Sequence, residues 1–218
     1  MRISNRSLFH RWPVAARLGA AFILAVATLG PASPLRADAD AACFITHVAG
    51  SAEVSARGAG RFVAVPGLGL GRNATLRTEE ASRVRMTCPD GLAVVIGPQS
   101  EIAVSGFLEG ATTRPFGVRL MNGIAGFLFD RTGGDGIQVN TPSAVAAVRS
   151  TQWAMRVENR ASAVFSRDGT VFVFGEDGTA RLQAGDGVDV TAAGEVGPVV
   201  RWGQARIDLF ADLLGPRW

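Results

Sequence analysis

Lysine is absent from this chain: all 22 basic residues are arginine. That excludes Schiff-base catalysis and the lysine of a phosphate-binding P-loop. Histidine occurs twice, at His10 and His47, and only His47 lies beyond the N-terminal leader described below. A His–His metal site is therefore excluded, and any Ser–His–Asp triad must use His47. That residue sits inside the apolar run CFITHVAG, where a lone histidine more often serves structure than catalysis. Cysteine also occurs twice, at Cys43 and Cys88. With one histidine, these fall short of a four-ligand zinc site. The chain contains no G-x-S-x-G elbow, no G-x-x-x-x-G-K-[ST] loop and no G-x-G-x-x-G strand–turn–helix unit. Gly67 to Gly71 alternates glycine and leucine without a following helical pattern, which reads as a turn.

Acid is missing from one region. All 19 acidic residues lie at or after Asp38, whereas five arginines precede it. The net charge of +3 therefore belongs to the leader. Without residues 1–37, seventeen arginines face nineteen acids, a net charge of −2. That balance disfavours a nucleic-acid partner, because phosphate binding needs local cation density. Four arginines in residues 1–17 precede the apolar run Leu18–Gly30, then Pro31 and Pro34, then an A-x-A pattern at Ala37 and Ala39. This reads as a signal peptide over residues 1–37. The alternative is an uncleaved N-terminal anchor, although 13 apolar residues are short of the roughly 20 that span a bilayer. Asp40-Ala41-Ala42 ahead of Cys43 does not suit lipoprotein processing. The expected location is the bacterial periplasm or the exterior, with no stable membrane span after cleavage. In that oxidising setting Cys43 and Cys88 are a candidate disulfide; two buried thiols are the alternative.

What remains is rich in glycine, 27 of 218 residues, spaced between short alternating runs. Tight turns between such runs mark an all-β domain. Val84, Met86 and Cys88 share one face of their run, and Trp153, Met155 and Val157 share one face of theirs. Asp90-Gly91, Asp168-Gly169, Asp177-Gly178 and Asp186-Gly187 each supply a turn signal. The repeat has no fixed period, so the fold class is all-β: one domain of short strands and tight turns, solenoid-like or a sandwich. Residues 108–117 and 130–136 read as loops. Ile207, Phe210 and Leu214 recur at helical spacing within Gln204–Leu214, which predicts a short C-terminal amphipathic helix packed on the domain.

One series of segments resembles the FecR family. VNTPSAVAAVRSTQWAMRV (139–157) is similar to its Thr-Pro, small-residue, Arg-Gly-Thr-aromatic pattern, with Thr141, Pro142, Val148, Arg149, Thr151 and Trp153 in those places. SRVRMTCPDGLAVVIGPQSEI (82–102), Leu120 and Gly123, VFSRDGTVFV (164–173) and LQAGDGVDV (182–190) resemble further elements in order. Two positions depart: Ser150 replaces a glycine, and Asn73-Ala74 replaces a Gly-Asp. Asparagine still supports a left-handed turn. The resemblance implies a twisted, all-β periplasmic domain over 44–192, followed by a C-terminal extension over 193–218. In known members such a domain receives a signal from an outer-membrane iron-uptake receptor. It passes that signal through a membrane helix to a segment controlling a sigma factor. This chain shows neither of those parts and resembles a stand-alone exported form.

The expected function is thus a non-catalytic binding or interaction module, linked to envelope signalling or iron-uptake regulation. Its partner would be an envelope protein or polymer, with no cofactor, no metal and no catalytic residue. The candidate interaction residues are Arg149, Thr151 and Trp153, because arginine and tryptophan favour interface hot spots; the alternative places Trp153 in the core. Two other classes remain open. One is an envelope carbohydrate-active enzyme using turn acids such as Asp130, Asp135, Glu176 and Asp177; the other is a structural envelope protein.

Overall fold

The structure is a computed structural model. It describes residues 41–56, 58, 60–88, 91–105, 117–129, 136–148, 151–216 and 218. The signal peptide expected over 1–37 lies outside them, as do Asp90, Asp130, Asp135, Arg149, Ser150 and nearly all of the loops expected at 108–117 and 130–136. Residues 36–218 form one compact unit.

The strands follow in chain order as β1 (Ala41–Ala49), β2 (Ala52–Ala56), β3 (Gly60–Val63), β4 (Gly69–Gly71), β5 (Thr75–Thr78), β6 (Arg83–Thr87), β7 (Ala93–Ile96) and β8 (Glu101–Ser105). The long β9 (Gly117–Phe129) comes next. Then come β10 (Ile137–Asn140), β11 (Val145–Val148), β12 (Thr151–Glu158), β13 (Ala161–Asp168), β14 (Val171–Phe174), β15 (Thr179–Leu182), β16 (Asp186–Val190) and β17 (Val200–Arg201). One helix, α1 (Gln204–Leu214), closes the chain as its apolar spacing predicts.

Two sheets share β9. Sheet A runs β4-β1-β6-β7-β9-β12-β13-β16-β17. Sheet B runs β3-β2-β5-β8-β9-β10-β11-β14-β15. The first half of β9 belongs to sheet B and the second half to sheet A. Alternate residues of both sheets point inward into one continuous core, which includes Ile45, Val84, Met86, Phe127, Trp153 and Val188 from sheet A. Leu76, Ile102, Leu120, Val139, Val173 and Leu182 come from sheet B. This is a sandwich, with apolar alternation at period two as its cause.

The chain repeatedly crosses between sheets, and two corners use the same device. At Gly50 φ is +81°, and an added Cβ would lie 2.3 Å from the Ser82 hydroxyl. At Gly123 φ is +86°, and an added Cβ would lie 2.2 Å from the Ser100 hydroxyl. Each serine stitches the bend: Ser51 N donates to Ser82 Oγ at 2.9 Å, and Ile124 N donates to Ser100 Oγ at 2.9 Å. Each serine also follows a residue at positive φ, Ala81 at 54° and Gln99 at 49°. Glycine is needed here because no other residue offers both the left-handed backbone and the missing side chain. Asn73 likewise takes a left-handed backbone, at φ 67°.

Two turn expectations need correction. Asp168-Gly169 does not close a hairpin. β13 pairs with β12 and β16, and β14 pairs with β11 and β15, so this turn carries the chain from sheet A to sheet B. Asp186-Gly187 is not a turn but the start of β16; the turn precedes it. Asp177-Gly178 does close the β14–β15 hairpin.

Candidate functional site

The described ionisable groups are dispersed. No group of three or more His, Cys, Asp or Glu converges among the described residues. Most acids on strands meet an arginine: Glu101 lies 3.0 Å from Arg77, Glu158 2.9 Å from Arg156, and Asp186 3.4 Å from Arg201. Asp189 pairs with Arg206 through both oxygens. The hydrogen bond and charge of Glu101 hold the Arg77 guanidinium pKa above its ordinary value. Of the turn acids, Asp177 accepts from Val196 N at 2.8 Å and so braces a neighbouring loop. Glu176 is exposed on the same turn. His47 is exposed on β1, opposite Arg85 in register.

Cys43 and Cys88 are joined in a disulfide, with an S–S distance of 2.08 Å. Both are buried and belong to the main core. Trp153 takes the core alternative: it is fully buried and stacks on Phe127 at 4.8 Å between centroids. Its place in the alternation of β12 points it inward, so it acts as core and offers no interface surface. Thr151 is also buried, and its hydroxyl donates to the carbonyl of Asp168, tying β12 to the sheet-crossing corner. Arg149 lies outside the described residues. Of the three, the structure places Thr151 and Trp153 in the interior.

The surfaces that could recognise a partner are the outer faces of the two sheets. On sheet A, one cross-strand row reads Val95, Gly126, Ala154, Phe165, Gly187. The small residues leave a trough, and the C-terminal segment fills it. Phe210 and Leu214 of α1 are buried there with Trp202 and Trp218. Trp202 stacks on Phe165 at 5.0 Å and meets Phe210 edge-on at 4.9 Å. Gly187 is the seat for this indole, since an added Cβ would lie 2.1 Å from Trp202 Nε1. The indole nitrogens of Trp202 and Trp218 have no hydrogen-bond partner, so these rings contribute through area and stacking. Arginines clamp the edges. The Arg206 guanidinium lies 3.8 Å over the Trp202 ring, and Arg83 Nε donates to the Leu213 carbonyl at 2.8 Å near the end of α1. That last contact satisfies an orphan carbonyl at the negative end of the helix dipole. Two clefts flank the segment. One, about 560 Å³, is lined by Thr46, His47, Arg83, Arg85, Leu214 and Pro216. The other, about 500 Å³, is lined by Arg156, Glu158, Asn159, Asp189, Arg206 and Leu209.

Among the described residues, the outer face of sheet B has no such cover. Phe172 and Phe174 stand on β14 with 42 % and 43 % of their surface exposed. Sequence reasoning passed over them, although the signal was present. Val171-Phe172-Val173-Phe174 is apolar at every position, so one face had to meet something other than the core.

No curated protein matches this chain. Two crystal structures, at 2.50 and 1.65 Å, of a candidate anti-sigma factor from Parabacteroides distasonis ATCC 8503 are similar to it. Each is 21 % identical, with a TM-score of 0.48. The match covers 59 % of this chain and 59 % of the solved chain. The family model described as FecR protein matches residues 74–172, from the approach to β5 into β14.

Proposed function

We propose that this protein is an exported, non-catalytic FecR-like regulator of the cell envelope, acting by binding a protein partner through its β scaffold. The observation that carries this reading is the FecR match over residues 74–172, which includes the strand β9 shared by both sheets. The dispersal of the described acids into arginine pairs and turn braces suits recognition better than acid–base chemistry. In this reading residues 1–37 direct export and are removed, residues 44–192 form the binding domain, and residues 193–218 secure one face of it.

The test is in-cell crosslinking of the full chain followed by identification of captured envelope proteins. One reproducible partner is expected, together with a mature N-terminus near residue 38. Repeated failure to enrich any partner overturns the binding role. The finer reading ties the protein to signalling in iron uptake. A deletion strain is then expected to lose part of its transcriptional response to iron starvation, and an unchanged response overturns that finer reading.

A further inference from the structure

The outer face of sheet B divides into two halves of different chemistry. Over β3, β2, β5 and β8 its charges are matched: Arg61 lies 4.0 Å from Glu53, and Arg77 lies 3.0 Å from Glu101. Over β9, β10, β11, β14 and β15 they are not. Two cross-strand rows cover this half. One reads Arg119, Asn140, Val145, Phe174, Thr179; the other reads Gly117, Gln138, Ala147, Phe172, Arg181. Neither row holds an acid. Arg119 and Arg181 have no carboxylate partner among the described residues; Arg181 lies 5.9 Å over the Phe172 ring instead. Met121, 40 % exposed, extends the apolar surface along β9. Five strands at about 4.8 Å spacing make the face about 19 Å wide.

The geometry points to this half-face as a docking surface for an acidic, apolar-bearing segment of a protein partner. This rests on the binding reading above and deepens it. Two observations select the occupant. Unpaired cations at opposite corners of an acid-free face complement negative charge. Exposed phenylalanine, methionine and arginine, with no Asp, Glu or Lys, are the set enriched at the cores of protein interfaces. A second copy of this chain docked face to face would bring two more arginines and no acid. A glycan would find no hydrogen-bonding group at Met121, Phe172 or Phe174, although Gln138 and Asn140 flank them.

The test places the photocrosslinker benzoylphenylalanine at position 174, and separately at positions 63 and 209, in the full chain in its own cells. Val63 and Leu209 are exposed on β3 and α1, away from the face. Position 174 is expected to capture a protein whose crosslinked segment, identified by mass spectrometry, carries net negative charge. That partner, purified, is expected to bind the full chain about 30-fold more weakly after Phe172→Ser with Phe174→Ser. It should bind about tenfold more weakly after Arg119→Gln with Arg181→Gln, and more weakly at high salt. The charge variants keep the test decisive if the phenylalanine variants fail to fold. Capture of a second copy, of a glycan, or of a neutral or basic segment at position 174 overturns the proposal. Capture at 63 or 209 with 174 silent also overturns it, while the binding reading stands. Silence at all three positions ends both.

Discussion

Phe165 and Phe172 occupy similar places on opposite sides of the molecule. Each stands on the outer face of a sheet, in a row crossing five strands; the Phe165 row is mostly small residues, whereas the Phe172 row includes Gln138 and Arg181. Phe165 is covered by Trp202 and Trp218, whereas Phe172 stays 42 % exposed with the Arg181 guanidinium over its ring. The difference lies in the neighbours. The sheet A row ends in Gly187, which admits an indole; the sheet B rows end in Thr179 and Arg181, which admit nothing from the described chain. An outer face becomes core only where its side chains leave room for a third layer. The same strand chemistry therefore yields a structural face and a recognition face.

The largest expected break in this comparison is Phe210→Ala. Removing a fully buried aromatic under sheet A should cost about 3–5 kcal/mol, read by chemical denaturation. Opening the disulfide by Cys43→Ala with Cys88→Ala should cost about 2–4 kcal/mol. It should leave the cost of Phe210→Ala unchanged if the two sites are independent. Gly187→Ala sets a methyl against Trp202 and should cost about 1–3 kcal/mol by overpacking, with a shift in tryptophan fluorescence as the indole moves. Phe174→Ser, on the open face, should change stability by about 0.5 kcal/mol or less. A cost as large as that of Phe210→Ala would mean that the open face is covered after all. The smallest effect belongs to Arg77→Gln, whose pair with Glu101 is largely exposed and screened by salt. Because the Arg77 pKa is raised, any stabilisation from its charge is fully present below the ordinary arginine pKa and is lost only as pH rises through the higher folded value. Denaturation midpoints of wild type and Arg77→Gln should therefore run parallel from pH 6 to pH 9.

Much of this architecture was legible in local pattern. The alternation of β6 and β12 placed Val84, Met86, Trp153 and Val157 on buried faces, and the spacing of Ile207, Phe210 and Leu214 placed α1. The FecR-like order of segments pointed to the match over 74–172. The candidate site was less legible. Trp153 read two ways, as a hot spot by residue type and as core by its parity on β12, and the structure takes the second. Phe172 and Phe174 were hidden by an apolar run that looked like core throughout.

The limits have one physical origin. Turn chemistry is local, and an Asp-Gly pair bends the chain equally well at Asp168 and at Asp177. Whether the next strand pairs back or crosses to the other sheet depends on partners far along the chain, β11 for β14 and β16 for β13. The sequence by itself determined the all-β class, the inward parity of the strands, the C-terminal helix and the near-neutral charge of residues 38–218, because each follows from nearest-neighbour sterics and composition. Only the tertiary structure decided that the two sheets share β9, that Gly187 seats Trp202, and that the described residues cover one outer face and not the other. Those outcomes depend on which distant side chains leave space for one another, and no local window contains that information.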